Sequence, residues 1–151
     1  MRLTDRTDYA LRVLMVLASS ERRHTVPELA KAFGVSAHHL TKVVQSLQTE
    51  GWVRTTPGRA GGAELDASPA SLSVGRVVRA MEPDLNLVEC LQEQGHCPLA
   101  GPCRLAGALR HARRAFLAEL DRVTLADLVD GRGARLLRSL SPTLSVNGAT
   151  R

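Results

Sequence analysis

The cysteines of this chain offer its clearest chemistry. Cys90, Cys97 and Cys103 lie close together, with six residues between the first two and five between the last two. Two glycines and two prolines among them favour turns over helix or strand. Clustered thiolates in a loop are typical of a metal or iron-sulfur site, although these spacings are wider than the CxxC knuckle of structural zinc. Because three thiolates are one fewer than the usual four ligands, a fourth ligand comes from elsewhere or one position stays open.

Composition and charge narrow the class of protein. The chain has 151 residues, a net charge of +5 and only 3% aromatic residues. This length fits one domain of ordinary size, and a core of Leu, Val and Ala favours helices. The positive charge favours a polyanionic partner, and no apolar run is long enough to predict a membrane span. The charged N-terminal residues do not resemble a signal peptide, so we expect a cytoplasmic protein whose thiols bind metal or sense redox state.

An amphipathic helix is predicted over residues 7–18. Its apolar residues recur at helical spacing, namely Leu11, Leu14, Met15 and Ala18. Asp5 and Asp8 fall at its beginning, where carboxylates offset the helix dipole. From the residues alone, Asp8 therefore has an ordinary role as a helix N-terminal carboxylate.

A winged helix-turn-helix follows. Thr25 and Glu28 form a capping box at the start of one helix, which ends near Phe33. A short turn containing Gly34 leads to Ser36, the predicted cap of a second helix. Residues 52–56 and 63–65 are predicted to be two strands joined by a glycine-rich turn. The fold class is therefore mainly α with a small β wing.

In this fold the polar side of the second helix faces the DNA major groove, and the wing reaches the backbone or the minor groove. The candidate DNA-binding residues are Ser36, His38, His39, Thr41, Lys42, Gln45 and, on the wing, Arg59. The alternative is that they form only the solvated side of a surface helix. The order of helix, turn, helix and hairpin in a basic protein favours double-stranded operator DNA as a partner.

The second half of the chain is predicted to be helical around the cysteine loop. One helix is opened by residues 71–73, runs through Met81 and is stopped at residues 82–83, and a long one follows Cys103, before a short helix at 124–129. The apolar residues of the long helix are Leu105, Leu109, Ala112, Phe116, Leu120 and Val123. This seam predicts pairing with a twin helix in a homodimer. We therefore expect a DNA-binding unit at 1–82, a cluster-binding loop at 83–103, dimerisation and short helices at 104–130, and a poorly ordered tail at 131–151.

Together these segments resemble the NsrR-type transcriptional repressors, the nitric-oxide-sensing branch of a winged-helix iron-sulfur family that also includes IscR. The resemblance covers residues 1–130. The matching motifs are LT at 3–4, TDYALR at 7–12, VS at 35–36, HL at 39–40, KVV at 42–44, GRAGG at 58–62, LVEC at 87–90, CPL at 97–99, CRL at 103–105 and TLADL at 124–128.

The resemblance implies a ligand set. In this family three cysteines of one subunit hold an iron-sulfur cluster, and here these are Cys90, Cys97 and Cys103. The NsrR branch takes its fourth ligand from the first helix of the other subunit, where Asp8 matches. The IscR branch uses a histidine at the position of Ala106. His96 and His111 are alternative ligands, and the first spacing of six residues departs from the family's usual five.

The implied function is that of a DNA-binding transcriptional repressor, not an enzyme. Its operator affinity would depend on a cluster, 4Fe-4S in preference to 2Fe-2S, that reacts with nitric oxide as effector. An alternative is a redox- or iron-responsive regulator that uses a 2Fe-2S cluster or bare thiols. A cysteine-dependent enzyme using Cys97 and His96 is disfavoured, because adjacent residues rarely place a nucleophile and a base within reach of each other.

Overall fold

The computed structural model of this chain describes residues 2–58, 61–88, 91–92, 97, 103–131 and 137. Within that part, no helix is both long and apolar enough to cross a membrane. The tail predicted at 131–151 lies almost wholly outside the described residues, as do Arg59, Cys90 and His96.

Helix α1, Asp5–Ala18, is the centre of the fold. It begins two residues before the predicted start because Thr4 is its N-cap, with a side-chain oxygen that accepts a hydrogen bond from the Thr7 backbone N–H. One face of the helix is fully buried, with Ala10, Val13 and Leu14 all inaccessible to solvent. The helix contacts the helices at Ala37–Thr49 and Val74–Met81 and the wing, so its position is fixed from several sides.

Helices α2, Val26–Phe33, and α3, Ala37–Thr49, form the helix-turn-helix. Both hydrogen bonds of the predicted capping box are present, and Gly34 closes α2 in the left-handed conformation at φ 66°. The prediction for Ser36 was wrong in one respect. Ser36 occupies the N-cap position of α3, but its side chain makes no capping hydrogen bond.

The wing consists of strands β1, Val53–Thr56, and β2, Gly62–Leu65, paired antiparallel with Val53 opposite Leu65 and Thr56 opposite Gly62. A third segment joins the hairpin, because the His24 backbone N–H donates to the Ala63 carbonyl at 2.9 Å and the Ala63 N–H donates back at 2.8 Å. The linker between α1 and α2 is therefore attached to the wing. The predicted winged helix is confirmed.

Helices α4, Val74–Met81, α5, Arg104–Asp121, and α6, Leu125–Leu128, complete the described part, with a single turn of 3-10 helix at Pro69–Ser71 that was not predicted. Leu125 belongs to the same hydrophobic core as α1 to α3. The pairing of two copies of α5 along its apolar seam stays a prediction. Leu105 and Ala112 are exposed, whereas the other apolar members of the seam are half-buried and Val123 lies beyond the end of the helix.

Candidate DNA-binding surface and cluster-ligand residues

Helix α3 has a buried face and an exposed face. Leu40, Val43, Val44 and Leu47 anchor it in the core. All of the predicted DNA-binding residues within the described part are exposed, namely Ser36, His38, His39, Thr41, Lys42 and Gln45. At 100° per residue, His38, Lys42 and Gln45 lie opposite the buried face. The structure therefore leaves these side chains free to enter a major groove.

The side of α3 nearest α1 carries further polar residues that the sequence did not single out. Arg6 of α1 donates from Nη2 to Ser46 Oγ at 3.0 Å. Together with His39, Lys42 and Val43 they line a groove of about 260 Å³. Arg6 could have been noticed from sequence, because a cation in the first turn of a helix opposes the helix dipole and needs another reason to be there.

The wing is attached to α3 and carries balanced charges. Thr55 donates from Oγ1 to Gln48 Oε1 of α3 at 3.0 Å. Glu64 lies 3.2 Å from Arg54 and 3.2 Å from Arg23, and the hydrogen bond from Arg23, followed by that from Arg54, lowers the pKa of its carboxyl. The negative charge of Glu64 is therefore paired with two arginines, which reduces its repulsion of DNA phosphates.

The candidate fourth ligand, Asp8, is held by Arg12 one turn along α1. Arg12 donates from Nε to Asp8 Oδ1 at 3.1 Å, and its Nη2 lies 2.7 Å from Oδ2. The Arg12 guanidinium also lies over the ring of Tyr9, 5.9 Å from its centroid. The Tyr9 ring in turn meets His39 of α3 edge to face, with centroids 6.4 Å apart. A continuous row of contacts therefore connects Asp8 with the exposed end of α3.

Two of the three candidate cysteine ligands lie among the described residues. Cys97 and Cys103 are partly buried and form no disulfide, and Cys103 is the N-cap residue of α5. Ala106, at the position of the IscR-branch histidine, is buried, whereas His111 is exposed on α5. Among the residues that the structure describes, no three metal-binding side chains come together. Asp8, Cys97 and Cys103 of one chain therefore do not form a site by themselves.

The beginning of α1 is also fastened to the segment that leads into the cysteines. Glu82, the C-cap of α4, accepts hydrogen bonds at Oε1 from the Thr4 backbone N–H at 2.8 Å and from Thr4 Oγ1 at 3.0 Å. One carboxylate thus completes the N-terminal cap of α1 and joins it to the residue at which α4 ends.

Comparison with known proteins agrees with this geometry. The family model of Rrf2, described as an iron-dependent transcriptional regulator, matches residues 3–131. The chain belongs to the Rrf2 family. The predicted resemblance is confirmed by two Rrf2-type relatives named HTH-type transcriptional regulator NsrR. The one from Geobacillus kaustophilus is 46% identical over 143 residues, covering 93% of this chain and 96% of the relative. The one from Bacillus subtilis is 39% identical over 135 residues, covering 87% and 92%.

Solved structures of Rrf2 regulators share the fold. CymR, the global cysteine regulator of B. subtilis, is 26% identical with a TM-score of 0.68 over 85% of this chain and 95% of its own. IscR from T. potens has a TM-score of 0.66 over 98% and 94%, and at 19% identity it shows the fold alone. This Rrf2 protein is therefore a DNA-binding transcriptional regulator with a winged helix.

If Lys42 reads bases, Lys42→Ala should lower affinity for the operator more than affinity for random DNA, by about 1–3 kcal/mol for a groove contact. Fluorescence anisotropy with both DNAs over a range of salt concentrations measures this difference. Lys31→Ala is the matched control, because it removes the same charge from the exposed side of α2. Equal losses on the two DNAs for Lys42→Ala would contradict the assignment of this residue as a base reader.

Proposed function

We propose that this Rrf2 regulator is a dimeric repressor, working in the cytoplasm, whose operator affinity is controlled by an iron-sulfur cluster that reacts with nitric oxide. Cys90, Cys97 and Cys103 of one subunit and Asp8 of the other would hold the cluster. The observation that carries the proposal is the row of contacts from Asp8 through Arg12 and Tyr9 to α3, because it joins a candidate ligand to the DNA-reading helix.

The donor set fits such a cluster. Thiolates are the ligands that iron-sulfur clusters take, and both described cysteines are free and partly accessible. The side chain of Asp8 is 47% exposed, so its carboxylate is open to a second subunit. When bound, the cluster supplies an iron that can take up nitric oxide, most readily where a carboxylate oxygen replaces a thiolate. His111 is less suitable, since it lies about 12 Å further along α5 than Cys103.

Arg12 orients the carboxylate of Asp8. It contacts both carboxylate oxygens of Asp8 in the single chain, and each oxygen keeps a further lone pair for a metal, so ligation would add to or rearrange these contacts. Any movement of Arg12 also changes its contact with Tyr9, whose ring packs against His39. The state of Asp8 thereby alters the support of α3 from the side of α1.

Helix α5 offers the surface for pairing. Its exposed apolar residues recur at spacings of three, four and three, namely Leu105, Ala108, Ala112 and Ala115. Leu105 is 64% exposed and is the largest member of this stripe. The small alanines would allow two copies of α5 to approach closely along this stripe, which differs from the seam predicted from sequence.

Operator binding by cluster-containing, nitric-oxide-treated and cluster-free protein tests the function. We expect treatment with nitric oxide to weaken operator binding by about tenfold or more, within the usual range of coupling between two sites. Absorbance of anaerobic protein distinguishes the cluster types, because 4Fe-4S gives one broad band and 2Fe-2S several resolved bands. Operator affinity that is unchanged by nitric oxide would contradict the proposal.

Mixed dimers test whether Asp8 crosses the interface. When Asp8→Ala subunits pair with Cys97→Ala subunits, both defects fall on one cluster if the ligand crosses, and the other cluster keeps a full ligand set. We therefore expect tandem-tagged heterodimers to contain one cluster with wild-type absorbance and nitric oxide reactivity.

Asp5→Ala is the matched control for Asp8, because Asp5 lies in the same first turn and pairs with Arg2. It should leave every cluster property unchanged, as expected of a carboxylate that only offsets the helix dipole. Heterodimers without any wild-type cluster would show that Asp8 is not supplied by the other subunit.

A further inference from the structure

The end of α5 is held to α4 by an unusually complete ion pair. Arg79 of α4 donates from Nη1 to Asp121 Oδ1 at 2.6 Å and from Nη2 to Asp121 Oδ2 at 2.6 Å. A fork of two parallel charge-assisted hydrogen bonds fixes the orientation of the two groups as well as their distance. The two residues are 42 positions apart, so the pair joins separate elements and does not stiffen a single helix.

Gly75 allows α4 and α5 to approach closely at this point. A Cβ atom at Gly75 would lie 2.1 Å from Asp121 Oδ1 and 3.0 Å from the Asp121 backbone nitrogen. Glycine is among the poorest helix formers, yet it occupies the second residue of α4 and is buried there. The close approach explains why this position lacks a side chain. The hydrogen bonds from Arg79, with a smaller contribution from Ser73, lower the pKa of Asp121 and keep it ionised.

Backbone hydrogen bonds continue the attachment beyond the helix. The Val74 N–H donates to the Val123 carbonyl at 2.8 Å, and the Leu125 N–H donates to the Leu72 carbonyl at 2.8 Å. The segment that follows α5 is thus tied to the DNA-binding part of the chain, whereas the first residue of α5 follows Cys103. One end of α5 therefore adjoins a proposed cluster ligand, and the other end adjoins the DNA-binding part.

We propose that Arg79, Gly75 and Asp121 form a joint that sets the angle of α5 against the winged helix, and thereby the operator half-site spacing that the dimer accepts. The inference rests on the proposed dimer. A two-fold dimer presents two recognition helices at a fixed separation that must match the separation of the half-sites. Arg79 and Asp121 act in this as positioning residues, since neither is on the DNA-reading face.

The length of α5 makes the angle important. A helix of 18 residues is about 27 Å long, so a change of about 5° at one end moves the other end by about 2 Å. The rise per base pair is about 3.4 Å, so a small change at the joint is a large part of one base-pair step. An ion pair that fixes orientation is suited to this task even though its contribution to stability at an exposed site is small.

The test measures spacing preference. Anaerobic, cluster-containing protein is titrated with operators in which the wild-type half-sites are separated by the preferred spacing or by one or two base pairs more or fewer, and with a single half-site. We expect Asp121→Asn and Arg79→Lys to reduce the preference for the best spacing over its neighbours by about tenfold, a typical value for coupling between sites. Affinity for the single half-site and cluster absorbance should stay unchanged. Arg79→Lys keeps the positive charge but cannot form the two parallel hydrogen bonds. It therefore distinguishes the effect of orientation from the effect of charge.

Arg122→Lys and Glu119→Gln are the matched controls, because they alter an exposed ion pair at the same end of α5. They should keep the wild-type spacing preference. If Asp121→Asn lowers only the unfolding midpoint and keeps that preference, the pair is merely structural and the inference is wrong. If the wild-type protein is a monomer by light scattering, the proposed dimer itself fails, which is a separate outcome.

Discussion

Replacing Cys97 or Cys103 with alanine should eliminate bound iron and sulfide while leaving a folded protein. Alanine offers no donor atom, and three thiolates leave none in reserve for a cluster. Neither residue belongs to the hydrophobic core, and both are only partly buried. We therefore expect the free energy of unfolding of the cluster-free protein to change by no more than about 0.5 kcal/mol, as for other surface substitutions. The sequence predicts the same result for Cys90→Ala.

Iron and sulfide analysis of anaerobically reconstituted protein measures the loss, and urea unfolding of the cluster-free protein measures the stability. His111→Ala is a useful control because this histidine is an alternative ligand and is exposed on α5. It should retain the full cluster. A cysteine variant that keeps wild-type iron and sulfide would exclude that cysteine from the ligand set.

The DNA-binding part could be predicted because its signals are local. The capping box of Thr25 and Glu28 and the turn at Gly34 act within a few residues of the helix ends that they define. Both are present as predicted, and the structure adds that Gly34 is left-handed. The start of α1 was placed too late although its Thr4 cap is local, whereas the Glu82 carboxylate that accepts from the Thr4 backbone N–H is distant in sequence. Local propensity carries no information about such a partner.

The contacts between separate helices could not be predicted, because local sequence carries no information about distant partners. Arg79 and Asp121 are 42 residues apart, and each alone is an ordinary charged surface residue. The glycine at 75 was the available signal, since a poor helix former inside an apolar helix usually indicates close approach. The pairing of Asp8 with Arg12 is local, but the further contact of Tyr9 with His39 depends on how α1 packs against α3.

The linker between α1 and α2, which is attached to the wing, contains a buried histidine. The side chain of His24 is completely inaccessible, and neither ring nitrogen has a hydrogen-bond partner among the described residues. Its backbone forms the bridge to Ala63 of β2, with Arg23 and Glu64 paired alongside. Burial, and then the charge of Arg22, lower the pKa of His24, and the opposing charge of Glu28 only partly offsets them. His24 is therefore neutral in the folded protein at pH 7.

Stability should consequently fall as the pH drops below about 6.5. In the folded protein the pKa of His24 lies below the ordinary value, so between the two values the unfolded chain binds more protons. The contribution of His24 is complete above pH 6.5 and is lost as the pH falls toward the folded-state pKa, by at most about 1.4 kcal/mol per pH unit for one proton. The lowered pKa values of Glu28 and Asp121 act only at lower pH, below the ordinary carboxyl values of 4.5 and 3.8.

A lysine at this position should have a far larger effect. We expect His24→Lys to lower the free energy of unfolding by about 3–5 kcal/mol at pH 7, because the core must either hold an unpaired ammonium or force the lysine to release its proton. His24→Phe keeps the volume and should remove the fall in stability between pH 6.5 and 5. His38→Lys, on the exposed face of α3, is the control and should change stability by less than about 0.5 kcal/mol. Urea unfolding at several pH values measures all of these effects, and a His24→Phe protein that loses stability over this range as steeply as the wild type would show that another group titrates there.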